Sequence, residues 1–318
     1  MPYSASATIE GMTSRPELSR VVTFANGKGG AGKTTCAVNT AGLSAAAGWK
    51  TLLVDLDPQA NAGHDLGYNW PDAQGRVGTD HGEHLVTALT GGQPLAPVLC
   101  EVRPGLDVIC GGARLDDLED IIAGRSRRTE DARHLLASAL APLAEGYDLI
   151  VIDTPPTRPV LLQLALAATR WVVVPTKSDR GSIEGLRALA EQLVRVRATN
   201  PDVEILGAVL FDTGTSATRI RSNAADDISA VLGGAGELFG SVVRHAEGVA
   251  VDARERGLLV HEIAAAVSNA EPWWLALKEG RKPQRLPGTA PALADDYVLL
   301  TQEILQRIAQ HEEKAETA

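Results

Sequence analysis

The chain has 318 residues, of which 44% are hydrophobic, 22% charged and 4% aromatic, and its 30 Lys+Arg against 40 Asp+Glu give a net charge of −10. Such a composition rules out disorder as the main state, and the acidic balance argues against a protein that coats nucleic acid over its whole surface, so any DNA contact must be a local patch. Cys36, Cys100 and Cys110 are too few and too widely spaced for a disulfide framework or a CxxC zinc site, which points to a reducing, cytoplasmic setting.

In chain order, residues 1–20 form a polar leader without the apolar core of a signal peptide, and no run of about 18 apolar residues follows anywhere. VVTFAN (21–26) reads as a buried parallel strand ending at Gly27. A tightly packed helix is expected from Lys33 to about Ala47, lined by Ala37, Val38, Ala41, Leu43 and Ala45, and Gly48 closes it before the strand TLLVDLD (51–57). The pattern weakens between 61 and 105, which suggests a long surface excursion with a short helix near 83–90. Further strands are expected at 106–110, 147–153, 171–175, 203–211 and 238–243, with helix-length stretches between most of them. Strand alternating with helix implies an α/β fold, a mostly parallel twisted sheet covered by helices on both faces, in a single domain over 21–270. Residues 271–292 read as a basic, proline-rich connector with Trp273 and Trp274 expected under the last helix, an anchor for a partner being the other reading. Residues 293–318 read as a C-terminal helix docked on the domain through Leu293, Val298, Leu299, Ile304, Leu305 and Ile308.

The most specific signal is GKGGAGKT (27–34), which fits G-x-x-x-x-G-K-[ST] between a strand and a helix, the P-loop context. Glycine lets backbone N–H groups close on a phosphate, and the helix N-terminus adds its dipole. Lys33 supplies a charge to the β- and γ-phosphates and the Thr34 hydroxyl a ligand to Mg²⁺. The candidate phosphate-binding residues are therefore Gly27, Lys28, Gly29, Gly30, Ala31, Gly32, Lys33, Thr34 and Thr35. TKSD (176–179) imitates the guanine-reading element of GTPases, but it follows the strand before the one that carries that element, so ATP is the expected nucleotide, with a guanine nucleotide as the alternative.

KGGAGKTT, DLDPQAN (55–61) and DTPP (153–156) together resemble the deviant Walker-A P-loop ATPases of the ParA/MinD family, in the order and spacing of its ParA branch. A looser likeness extends to about residue 264. The resemblance implies that Lys28 reaches across an ATP-sandwiched homodimer to the phosphates of the other subunit, that Asp57 orients the attacking water, and that Asp55 and Asp153 support the Mg²⁺ shell. Each Asp is also readable as an ordinary strand-end or capping carboxylate. The resemblance further implies nonspecific DNA binding, a ParB-like adaptor that stimulates hydrolysis, a nucleoid-associated location and a role in plasmid or chromosome segregation.

The candidate DNA contacts are Arg187, Arg195, Arg197, Arg219 and Arg221, with an ordinary solvated helix surface as the competing reading. Arg187, Arg195 and Arg197 do not share a single helical stripe. Arg281, Lys282 and Arg285 form a second basic group in the connector. The acidic tail QRIAQHEEKAETA argues against an amphipathic membrane anchor. The leader is too short for a helix-turn-helix domain of the chain's own. The alternative functions are a ParA-like ATPase that positions a protein cargo and a filament-forming scaffold ATPase that does not use DNA.

Overall fold

A computed structural model of the chain describes residues 15–71, 74–91, 93–126, 132–214, 218–232, 237–282 and 286–317. From the N-terminus, β1 (Val21–Phe24), α1 (Lys33–Ala46), β2 (Thr51–Asp55), α2 (Asn61–Leu66), α3 (Glu83–Gly91), β3 (Leu99–Arg103) and β4 (Leu106–Ile109) lead to α4 (Arg114–Ser126) and α5 (Leu135–Ala144). Then come β5 (Leu149–Asp153), α6 (Pro159–Ala167), β6 (Trp171–Thr176), α7 (Arg180–Val196), β7 (Glu204–Phe211), α8 (Thr218–Leu232) and β8 (Leu238–Val243). The chain ends with α9 (Glu247–Arg256), α10 (Val260–Ser268), α11 (Trp273–Lys278) and α12 (Ala290–Thr317).

The strands form one sheet in the order β3-β4-β2-β5-β1-β6-β7-β8, and every pairing is parallel except β3 with β4. Successive residues of a strand face opposite sides, and the apolar runs split accordingly. Val22, Phe24, Leu53, Val151 and Val173 enter one core with residues of α1, α10 and α12. Val21, Leu52, Val54, Ile150 and Ile152 enter another beneath α3 to α6. Both faces are therefore buried, which is why these strands are continuously hydrophobic rather than alternating. The order reverses at β1, which lies between β5 and β6, and such a switch point opens a crevice at the C-terminal ends of the strands.

Three elements differ from the sequence reading. Residues 61–105 contain α2 and the antiparallel edge strand β3 besides the expected α3. β3 carries only half-buried and exposed residues and its pairing is bulged, so it has no apolar run to announce it. Part of the connector is helical, as α11, and Trp274 on it is 55% exposed rather than covered.

The last helix buries Leu293, Tyr297, Leu300, Ile304 and Ile308 along one stripe, while Leu299 lies on the opposite side, 55% exposed. The stripe packs on α1, α10 and β8. Polar contacts fix α12 in place. Glu303 accepts from the backbone N–H groups of Gly240 and Ser241 on the edge strand β8, both at 2.9 Å. Arg307 donates to the carbonyls of Leu206 and Leu238 at 2.9 and 3.1 Å.

Ile304 has no exposed surface, so Ile304→Ala is expected to cost about 2–5 kcal/mol through lost burial and a residual cavity. The urea midpoint of the full chain would report it.

Candidate functional site

The site is built where β1, β2 and β5 end. Gly30 and Gly32 adopt φ of +71° and +93°, and Gly32 is the residue from which α1 starts. A side chain at Gly32 would be strained by that backbone, and its Cβ would meet the Phe211 ring at 2.5 Å. Glycine is thus required both by the turn and by the close approach of β7. The first N–H groups of α1 have no earlier helical carbonyl to bond, and no side chain caps the helix. They are left for an anion.

The loop is braced from behind. Asn26 donates to the Pro175 carbonyl at 2.8 Å and accepts from the Lys28 N–H at 2.9 Å. Thr154 donates to the Phe24 carbonyl at 2.7 Å, tying the loop after β5 to β1. Gly30, Ala31, Gly32, Lys33, Thr34, Thr35 and Asp57 line one cleft of about 340 Å³, joined by Gln59, Asn61, Thr154, Pro156, Phe211 and Arg254. Lys33 is 5% exposed, and its amine donates to the Lys28 carbonyl at 3.2 Å. Burial holds that amine below the usual lysine range, against the pull of Asp153 and Asp57.

Asp55 and Asp153 sit side by side, because they are register partners in the parallel pair β2–β5. Both have no exposed surface. Oδ1 of Asp55 accepts from the Asp57 N–H at 2.8 Å, but Oδ2 of Asp55 and both oxygens of Asp153 lack a hydrogen-bond partner. Burial pushes both carboxyls up, and the Asp153 charge pushes Asp55 further. The Thr34 hydroxyl and Lys33 act on Asp153 in the opposite direction without satisfying either oxygen. A desolvated acidic pair of this kind is compensated by a cation. Among the described residues there is no cluster of three or more acidic, His or Cys side chains that forms a metal cage. Mg²⁺ keeps waters and takes phosphate oxygens alongside one or two protein ligands. Thr34 with Asp153, backed by Asp55, is therefore a donor set into which Mg²⁺ fits.

The remaining sequence candidates lie elsewhere. Gly27, Lys28 and Gly29 do not line the cleft. The Lys28 amine pairs with Asp179 at 2.5 Å. Arg187 borders a groove between α7 and α8 beside Glu191 and Asp227. α7 runs back from the C-terminal ends of the strands, so Arg195 near its end and Arg197 just beyond it are roughly 20 Å from its start, at about 1.5 Å per residue. Arg219 and Arg221 fall in the first turn of α8, at the opposite end of the layer, and their side chains lie outside the described residues, as does Arg285. Of the described side chains, Arg187, Arg195 and Arg197 are spread along α7.

Lys177 and Asp179 of TKSD are engaged within the chain. Lys177 pairs with Asp212 at 2.5 Å, and Asp179 caps α7.

A second cavity of about 390 Å³ adjoins the cleft and shares Thr35, Phe211 and Arg254 with it. Leu258, Leu259, Leu293 and Tyr297 make much of its lining apolar, while Arg244 and His245 stand among its polar residues. Gln59, Asn61, Thr154 and Pro156 belong to the strings DLDPQAN and DTPP and were within reach of sequence reading. Phe211 and Arg254 arrive from distant elements and carry no local signal.

Comparison with known proteins agrees with this geometry. A family model described as an AAA domain matches residues 19–205. The chromosome partitioning protein ParA of Caulobacter vibrioides is 36% identical over 219 residues, covering 67% of this chain and 77% of its own length. The chromosome-partitioning ATPase Soj of Thermus thermophilus is 37% identical over 192 residues, 60% of this chain and 68% of its own. Among solved structures, an ATP complex of Cyanothece McdA shares the fold with a TM-score of 0.68 at 19% identity, covering 92% of this chain and 98% of that one. On the phosphate loop, the paired strand-end carboxylates and these relatives, the chain belongs to the ParA/MinD family of P-loop ATPases.

Proposed function

We propose that the protein is an ATP-driven switch of the ParA type. Mg²⁺ and ATP bind in the cleft, and two copies join face to face as a homodimer that binds DNA nonspecifically. A ParB-like adaptor stimulates the hydrolysis that releases it, and the cycle segregates a plasmid or chromosome over the nucleoid in the cytoplasm. One observation carries this reading: the two lysines of one loop are divided, Lys33 buried in its own cleft and Lys28 outside it on the flank. A lysine placed inside a phosphate loop yet outside that loop's cleft suits the phosphates of a second copy.

The substrate phosphates take the cleft and the nucleoside the adjoining apolar cavity, whose volume is in the range of small-ligand sites. Lys33 neutralises charge on the β- and γ-phosphates, and Thr35 in the first turn of α1 touches the α-phosphate. Thr34 and Asp153 would hold Mg²⁺, which when bound would supply charge neutralisation and orientation of the phosphate oxygens. The Asp57 carboxylate is fixed from two sides, because its own N–H donates to Asp55 and its Oδ1 accepts from the Gln59 N–H at 2.9 Å. Its second oxygen is left to orient water for attack on the γ-phosphorus, with ADP as leaving group. Positioning and charge stabilisation do most of the work, with Lys28 of the second copy completing the charge balance.

For DNA, Arg195 and Arg197 at the far end of α7 are the described candidates nearest each other in the chain, although two residues apart they face different sides of the helix. Arg195 lies one helical turn beyond Glu191 on α7, and Arg197 follows at the helix end.

Lys33→Ala is expected to weaken nucleotide binding on the order of a hundredfold, the worth of a buried charge-assisted contact; titration with a fluorescent ATP analogue measures it. Asp57→Ala should keep ATP-dependent dimerisation and lose roughly 100-fold or more in turnover. A variant that is monomeric with ATP yet hydrolyses at the parent rate would refute the assignment. DNA retardation by the wild type should need ATP and fall steeply with salt, and Arg195→Ala with Arg197→Ala should reduce the log–log salt slope by about 2. Retardation that ignores both ATP and these changes would remove the DNA surface from the proposal.

A further inference from the structure

The TKSD segment leaves one residue whose chemistry the nucleotide site does not use. Lys177 is accounted for by Asp212. Asp179 instead does two things with one carboxylate. Oδ1 accepts from the Ser182 N–H at 2.9 Å, which caps α7, and from the Lys28 amine at 2.5 Å. The bond from Lys28 is the main cause that draws the Asp179 carboxyl below its usual range, against the opposing effect of burial.

The phosphate loop and the start of α7 are pressed together at this point. A Cβ on Gly185 would overlap the Asn26 side-chain oxygen and stand 3.0 Å from the Lys28 nitrogen, while a Cβ on Gly27 would lie 3.2 Å from the Gly185 carbonyl. Backbone meets backbone here, so the root of the Lys28 side chain is fixed against α7. Its amine is held at the flank of its own loop.

We propose that Asp179 is a positioning residue for Lys28: in the single chain it latches the amine to the cap of α7, and this latch opens when the amine turns to a second copy. The inference rests on the role of Lys28 given above. A single ammonium has two competing sets of acceptors, Asp179 at home and the phosphates of the other copy. The latch therefore acts against association, and its strength sets how much bound nucleotide must gain before two copies join. Both partners are a third to a half exposed, 34% and 46%, so each latch weighs only about two- to fivefold, as for other solvent-screened pairs. Two latches open in each face-to-face pair, which gives roughly four- to 25-fold on the dimerisation constant if they act independently.

Asp179→Asn separates the two roles, because asparagine caps a helix about as well as aspartate but carries no charge. The measurement is sedimentation velocity of the full chain over a concentration series with Mg²⁺ and a nonhydrolysable ATP analogue. The variant is expected to dimerise at roughly four- to 25-fold lower concentration than the wild type, with an unchanged thermal midpoint and no dimer without nucleotide. In a Lys28→Ala background the same change should bring no gain. An equal or weaker dimerisation constant for Asp179→Asn, or a gain that persists without Lys28, overturns the latch and leaves the dimer in place. A wild-type chain that binds the analogue and stays monomeric removes the dimer reading, and the latch falls with it.

Discussion

Two carboxylates on neighbouring strands set the terms for the rest of this protein. Asp55 and Asp153 are brought abreast by the register of β2 and β5, sealed from water, and given too few donors within the chain to satisfy them. An isolated buried charge is unfavourable by several kcal/mol, so these strand ends are stable as anions only with a cation nearby. Lys33 supplies part of that charge at the loop where α1 begins. The rest has to come from outside the chain. Strand order, the glycine turn and the position of α1 all converge on holding this acidic pair opposite a ring of backbone N–H groups, which is what a metal–phosphate unit of mixed charge needs.

The neighbourhood of that pair is stiff in some directions and adjustable in others. Asn26, Thr154 and the Asp55–Asp57 contact fix backbone with short neutral or charge-assisted bonds. A group poised to move is a side chain held by a screened ion pair at the rim, Lys28 with Asp179. A switch needs this division, since a rigid cradle keeps the chemistry in register while weak outer contacts are exchanged at little cost.

Much of the fold was legible in the sequence for a plain physical reason. Strands buried on both faces must be continuously apolar, so seven of the eight strands stood out, and the helix after Gly32 was marked by its small residues. β3 escaped because an edge strand has no buried face to write into its composition. α11 lay among charged and proline-rich residues, and its Trp274 is exposed although a large apolar side chain is more often covered. On α12 the amphipathic period was right, but Tyr297 and Leu300 belong to the buried stripe and Leu299 does not. Neighbouring apolar residues in a helix are separated by only 100° and the choice between them is made by the partner surface. The phosphate loop and both acidic strand ends were visible because each is a compact string. Phe211, Arg254 and the Asp179 contact were not, since they are assembled from parts of the chain more than 100 residues apart.

The way α12 meets β8 bears on how copies of this chain can stack. A terminal strand ordinarily offers a ladder of unused backbone donors to any passing strand. Here the carboxylate of Glu303 occupies two of those donors, and the guanidinium of Arg307 covers nearby carbonyls. At the other margin, β3 is short, bulged and bent at Glu101, whose φ is +52°. Both margins of the sheet are thus blunted, and growth by adding strand to strand is closed off. Side-chain surfaces are left as the easier ground for contact between copies, and such contacts exchange more readily than a strand ladder.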